Sequence, residues 1–157
     1  MTNAAAAGQD PDLMQLDHQL CFALYSSAHA LNRAYKPVLK ALDLTYPQYL
    51  TMIVLWERDG VTVKEIGDRL HLDSGTLTPL LKRLEAMGLV TRTRDTADER
   101  QVRIQLTDKG VSMRDTARAV PKAILRAMGQ PMADLTKLKA ELVRLRDQLN
   151  RATDEAA

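Results

Sequence analysis

The 157-residue chain is short of several things, and each shortage excludes a class. It has one cysteine, Cys21, which excludes an internal disulfide framework and any multi-cysteine zinc site. Sulfur chemistry here needs an outside partner. Aromatic residues make up 4% of the chain, while Leu, Ala, Arg, Lys and Met abound, a composition that favours helix over sheet. Net charge is small: 22 basic against 20 acidic side chains leaves +2, so bulk electrostatics names no nucleic-acid, membrane or acidic partner. Any partner has to be recognised locally. The densest apolar stretch, Met52 to Trp56, is far below the roughly 18 residues of a membrane span. The opening MTNAAAAGQDPD lacks the basic and apolar regions of a secretory signal, so residues 1–11 read as a disordered tail and the protein as cytoplasmic. The seven glycines lie dispersed at breaks, not in a phosphate loop. His18, His29 and His71 have no carboxylates at ligand spacing beside them, which predicts no metal; no cofactor is predicted either.

What is present is 45% hydrophobic and 27% charged, enough for one core. Leu16, Leu20, Leu24, Ala28 and Leu31 recur every three or four residues from Asp12 onward and lay one apolar stripe along a long first helix. Pro37 is expected to kink it without ending it, so that it runs on to Leu42. Thr45 with Gln48, and Thr62 with Glu65, have the spacing of capping boxes, opening helices that end near Arg58 and Leu70. Asp73 or Ser74 can cap a fourth helix carrying Leu77, Leu80, Leu81, Leu84 and Met87, with Gly88 just past its end. Two helices with so tight a turn make a helix-turn-helix. Residues 89–94 and 102–106 then alternate in character around the polar stretch Asp95 to Arg100, a β-hairpin with a charged tip.

The fold class that follows is mainly α with a small β-hairpin: a winged helix-turn-helix over 45–106, flanked by N-terminal (12–44) and C-terminal (107–152) dimerisation helices. In the last of these Leu135, Leu138, Leu142, Leu145 and Leu149 step 3, 4, 3, 4, a heptad-like seam. It packs either on the chain's own core or, as we expect, in a homodimer.

Ser74, Gly75, Thr76 and Thr78 place small groups at the start of the fourth helix, where a recognition helix meets bases and phosphates. Lys82 and Arg83 follow at the right distance for phosphates. The same hydroxyls also serve as ordinary caps, and the same cations as a solvated face. The wing tips the balance: Arg92, Arg94 and Arg100 are of the type that enters a narrow, A·T-rich minor groove, and Asp98 can hold the Arg100 guanidinium by a two-point hydrogen bond. The expected partner is double-stranded, pseudo-palindromic operator DNA.

The strings LDHQLCFALYSS (16–27), YKPVLKALDLTYPQYL (35–50), LDSGTLTPLLKRLEAMGLVTR (72–92) and DERQV (98–102) closely resemble the MarR family, and within it the organic hydroperoxide sensors known as OhrR. The resemblance covers roughly residues 13 to 125. It implies a dimeric transcriptional repressor, not an enzyme, that holds its operator when reduced and releases it on oxidation by an organic hydroperoxide. It also implies roles: Cys21 in QLCFALY as the peroxidatic thiol, Tyr35 and Tyr46 as phenols reaching that sulfur from the partner subunit, and Asp98 with Arg100 as the wing pair. Two phenol donors would stabilise a thiolate, the nucleophile in attack on peroxide, and Leu20, Phe22, Ala23 and Leu24 would suit an alkyl tail. Tyr25, one turn beyond Cys21, ranks below these two.

Two-cysteine members of the family carry a resolving cysteine in the fifth-helix region. This chain has Ala123, Ala127 and Met128 there, so a sulfenic acid at Cys21 must meet a low-molecular-weight thiol or over-oxidise. Two other readings stand beside this one: a MarR-type repressor released by a small aromatic or phenolic ligand, with Cys21 structural, and a thiol peroxidase.

Overall fold

In a computed structural model, which describes residues 12–156, the chain forms two compact units, one running to Thr116 and the other from Ala117. The tail reading of 1–11 lies outside the described residues.

In the first unit, a 3-10 turn at Leu16–His18 precedes helix α1 (Leu20–Leu39). The helix does not start at Asp12 because Gln19 is extended, at φ −88° and ψ 116°. Side chains satisfy that break: the Gln19 Nε2 donates to the Leu13 carbonyl at 2.8 Å, and the His18 Nδ1 lies 3.1 Å from the Asp12 carbonyl. Pro37 sits inside α1, and a second 3-10 turn carries the chain to Leu42, as the kinked reading expected.

Helices α2 (Tyr46–Glu57) and α3 (Val63–Leu70) both open on complete capping boxes, from Thr45 with Gln48 and from Thr62 with Glu65. Asp73, not Ser74, caps α4 (Ser74–Ala86): its carboxylate accepts from the Thr76 N–H at 2.8 Å. Between α3 and α4, His71 takes a left-handed conformation at φ 54°. Gly67 is fixed by the same turn, since a Cβ there would lie 2.7 Å from the Leu72 carbonyl oxygen.

The wing is a three-stranded antiparallel sheet rather than a bare hairpin. Strand β1 (Val61–Thr62) joins β2 (Val90–Arg94) and β3 (Val102–Leu106) in the order β1-β3-β2, with Val61 and Arg92 both opposite Ile104. Two residues carry too little pattern to announce a strand. Leu39, Met52, Leu55, Ile66, Leu77, Leu81, Leu84, Leu89 and Ile104 are at most 1% exposed and form the core that locks both helices of the helix-turn-helix to the sheet.

Helix α5 (Asp108–Ala117) is followed by α6 (Ala119–Met128) and α7 (Met132–Ala156). The chain breaks at Arg118, and Pro121 sits in the first turn of α6, where a missing N–H costs nothing. No residue of α7 is buried; Leu138, Leu142 and Leu149 are exposed. Among the described residues, no helix is long and apolar enough to cross a membrane.

Candidate functional site

The start of α4 presents Ser74, Gly75 and Thr76 at the surface, with Thr78 half-buried behind them. Two hydroxyls have local partners: Thr76 Oγ1 donates to the Asp73 carboxylate at 3.0 Å, and Thr78 Oγ1 to the Ser74 carbonyl at 2.7 Å. Each keeps lone pairs for an incoming donor. Lys82 is exposed on the same helix. Arg83 is exposed too, but it lines a different space, a cleft of about 780 Å³ at the end of α1 and the start of α2, shared with Lys36, Lys40 and Tyr46.

The wing arginines separate into three environments. Arg100 is the outermost, its side chain 90% exposed, yet oriented: its Nε and Nη2 donate to the two carboxylate oxygens of Asp98 at 3.0 and 3.3 Å, the two-point arrangement expected from sequence. Those bonds, with one from Gln101, hold the Asp98 carboxyl below its ordinary range. Arg94 is exposed at the end of β2. Arg92, two residues earlier on the same face of the strand, lies deeper. Opposite Ile104 on the inner face of the sheet, it is half-buried, lies 3.6 Å from Glu85 of α4, and keeps a buried Nε that has no hydrogen-bond partner. It lines a cleft of about 550 Å³ with Ser74, Thr78 and Arg100. Alternation puts Arg92 on the face of buried Val90 and away from exposed Thr91 and Thr93, but its approach to Glu85 of α4 could not be read from the strand alone.

Two residues outside the expected set shape the wing. Asp95, 7% exposed, accepts at Oδ1 from the N–H groups of Ala97 (2.7 Å) and Asp98 (3.2 Å), and pairs at Oδ2 with Arg103 Nε. The Arg103 Nη1 in turn donates to the Gly60 carbonyl at 2.6 Å. The signal available in the sequence was an aspartate at a strand end with N–H groups two and three residues on, the spacing of an Asx turn.

At the other functional candidate, Cys21 is exposed on α1, with Leu16, Leu20 and Tyr25 also exposed around it. The structure gathers Tyr35 and Tyr46 elsewhere, stacked at 4.1 Å, with Tyr49 6.0 Å from Tyr35. Burial, followed by the neighbouring Tyr46, raises the Tyr35 pKa, so its phenol stays protonated and a donor. Fourteen residues of α1 separate Cys21 from Tyr35, about 21 Å along the axis, so the phenols lie far from the thiol of their own chain. Tyr25 instead meets His29 edge-on at 4.4 Å. Tyr49 was missed in the sequence, where it reads as one more apolar position of α2.

Comparison with known proteins places this geometry. The family described as transcriptional regulator SarA/Rot matches residues 33–116. An HTH-type transcriptional regulator TtmR of Methylorubrum extorquens is 52% identical over 143 residues, covering 91% of this chain and 73% of that protein. The organic hydroperoxide resistance transcriptional regulator of Bacillus subtilis is 48% identical over 139 residues, 88% of this chain and 95% of the relative. Among solved structures, reduced AbfR bound to DNA, from a protein of Staphylococcus epidermidis, superposes with a TM-score of 0.77 at 37% identity, covering 91% of this chain and 98% of that one. A capped helix-turn-helix, a three-stranded wing with a clamped tip arginine, and relatives of this identity over nearly the whole chain together show that it belongs to the MarR/SarA family of winged-helix transcriptional regulators.

Proposed function

We propose that the protein is a dimeric, DNA-binding repressor that senses organic hydroperoxides at Cys21 and releases its operator once that thiol is oxidised. The observation that carries the redox part is the exposure of the lone cysteine on an apolar helix face that the described residues leave uncovered. A second copy laid against that face brings its own Tyr35 and Tyr46 to the thiol, supplying the donors that the single chain holds about 21 Å away. The Cys21 thiolate attacks one peroxide oxygen, the O–O bond breaks, and the departing alkoxide takes up a proton, leaving a sulfenic acid. A low-molecular-weight thiol then displaces water to form a mixed disulfide.

DNA is held by the open start of α4 in the major groove and by Arg94 and Arg100 in the flanking minor groove. Bulk added at Cys21 shifts the two winged units, whose spacing must match successive major grooves about one turn apart. The test is operator binding by reduced protein at fixed salt, before and after stoichiometric cumene hydroperoxide, with intact mass in parallel. Release with added mass at Cys21 is expected, and Cys21→Ser should bind normally and ignore peroxide; a serine variant that still releases its operator would sink the reading.

A second reading rests on the cleft beside Tyr46, where Lys36, Lys40 and Arg83 take part in none of the ion pairs among the described residues. That space suits a small phenolic acid acting without the thiol. Release of the Cys21→Ser variant by salicylate would select it.

A further inference from the structure

The wing tip is not carried by its hairpin alone. A continuous run of hydrogen bonds joins it to the body of the winged unit. The Gly60 carbonyl, in the turn before β1, accepts from Arg103 Nη1 at 2.6 Å. Arg103 Nε donates to Asp95 Oδ2, and Asp95 Oδ1 accepts from the backbone N–H of Asp98 at 3.2 Å. The Asp98 carboxylate then grips Arg100 at 3.0 and 3.3 Å. Every link is charged or involves the backbone, and charge-assisted bonds are shorter and stronger than neutral ones. Asp95 is also tied at its own N–H to the Gln101 carbonyl at 2.9 Å, closing the tip as a ring around Asp98 and Arg100.

We propose that Asp95 and Arg103 are positioning residues for DNA recognition: buried Asp95, anchored through Arg103 to Gly60, sets where Asp98 holds Arg100 and so decides whether Arg100 reaches the minor groove in register with α4. The inference rests on the reading of Arg100 as a minor-groove contact. Strand β1 runs directly into the N-cap of α3 at Thr62, so the same run references the tip arginine to the helix-turn-helix. An exposed arginine on an untethered tip would pay more ordering entropy on binding. Guanidinium geometry is needed at 103, because one head must serve a carboxylate and a carbonyl at once; a lysine ammonium keeps the charge without the fork.

The experiment is a double-variant cycle on the full chain, reading affinity for duplex DNA from the region upstream of its own gene at fixed salt. Asp95→Asn keeps shape but puts an amide against the Arg103 donor. If Asp95 acts through Arg100, Asp95→Asn lowers operator affinity about tenfold in the native background and by less than about twofold once Arg100→Gln is already present. Exchanging the A·T pairs under the wing for G·C should likewise weaken native protein but leave Asp95→Asn nearly unchanged. Equal losses in both backgrounds mean that Asp95 only holds the sheet, and no loss in the native background means that it positions nothing; either overturns the proposal. Arg100→Gln that costs no affinity removes the minor-groove reading itself, a separate result from the cycle. Should Asp95→Asn fail to fold, Arg103→Lys carries the same cycle, with Arg103→Gln expected to be worse.

Discussion

At the scale of single residues, four carboxylates among the described residues titrate below their ordinary range, and all four are held by hydrogen bonds that exist only in the fold. Glu65 accepts from Thr62, Asp73 from Thr76, Asp95 from Ala97 and Asp98, and Asp98 from Arg100 and Gln101. A depressed folded-state pKa means that the unfolded chain binds protons more readily, so the stabilisation is complete above the ordinary values of 4.5 and 3.8 and disappears as pH falls through the lower folded values. The urea midpoint of the reduced protein should therefore hold steady from pH 7 to about 5 and fall as the pH drops toward about 3. A midpoint flat across that acid range would contradict the assignment. One of these devices can be removed by itself: Thr62→Ala deletes the cap of α3 and should cost about 1 kcal/mol in urea unfolding at neutral pH.

Among the elements, what could be read in advance was what local chemistry decides. Thr45 with Gln48 and Thr62 with Glu65 announce their helices because a capping box spans only three residues, and Gly88, at φ +70°, marks the end of α4 by the same logic. The two-point hold of Asp98 on Arg100, two residues away, was legible for that reason too. Illegible were the features made across distance. Strand β1 exists only through pairing with β3, and the bond from Arg103 to Gly60 spans 43 positions. Alternation puts Arg92 on the face of buried Val90, but its approach to Glu85 of α4 could not be read from the strand alone. Gly110 belongs with these. It looks like a breaker near the start of α5, but a Cβ there would lie 2.1 Å from the Leu89 carbonyl oxygen, and its own carbonyl accepts from Trp56 Nε1 at 2.9 Å. Both contacts reach far along the chain and seat the start of α5 against the residue before β2 and against α2. Gly110→Ala should therefore cost about 1–3 kcal/mol or more, since the obstacle is backbone that cannot rotate away. Thermal melts followed by circular dichroism would show a lower midpoint, whereas Gly129→Ala, with open space at that Cβ and strain only from its φ of +61°, should shift it less.

For the whole molecule, the informative quantity is apolar surface that one chain leaves in water. Helix α7 has 25 residues, about 38 Å at 1.5 Å each, and buries none of them, yet Leu138, Leu142 and Leu149 are 51%, 40% and 58% exposed along it. On the proposed dimeric reading, a second copy would cover this leucine seam and so join two winged units into one reader of a palindrome. Binding two half-sites through one rigid dimer makes the second contact intramolecular, which raises affinity well above that of either unit alone. Glutamates at Leu138 and Leu142 would put charge into that seam. The expected outcome is a species that sediments as a single chain at micromolar concentration, keeps its helical circular dichroism, and loses operator affinity by at least about a hundredfold, while still binding non-specific DNA weakly with a smaller salt slope. A double variant that remains dimeric would show that α7 is not the seam that pairs the chains.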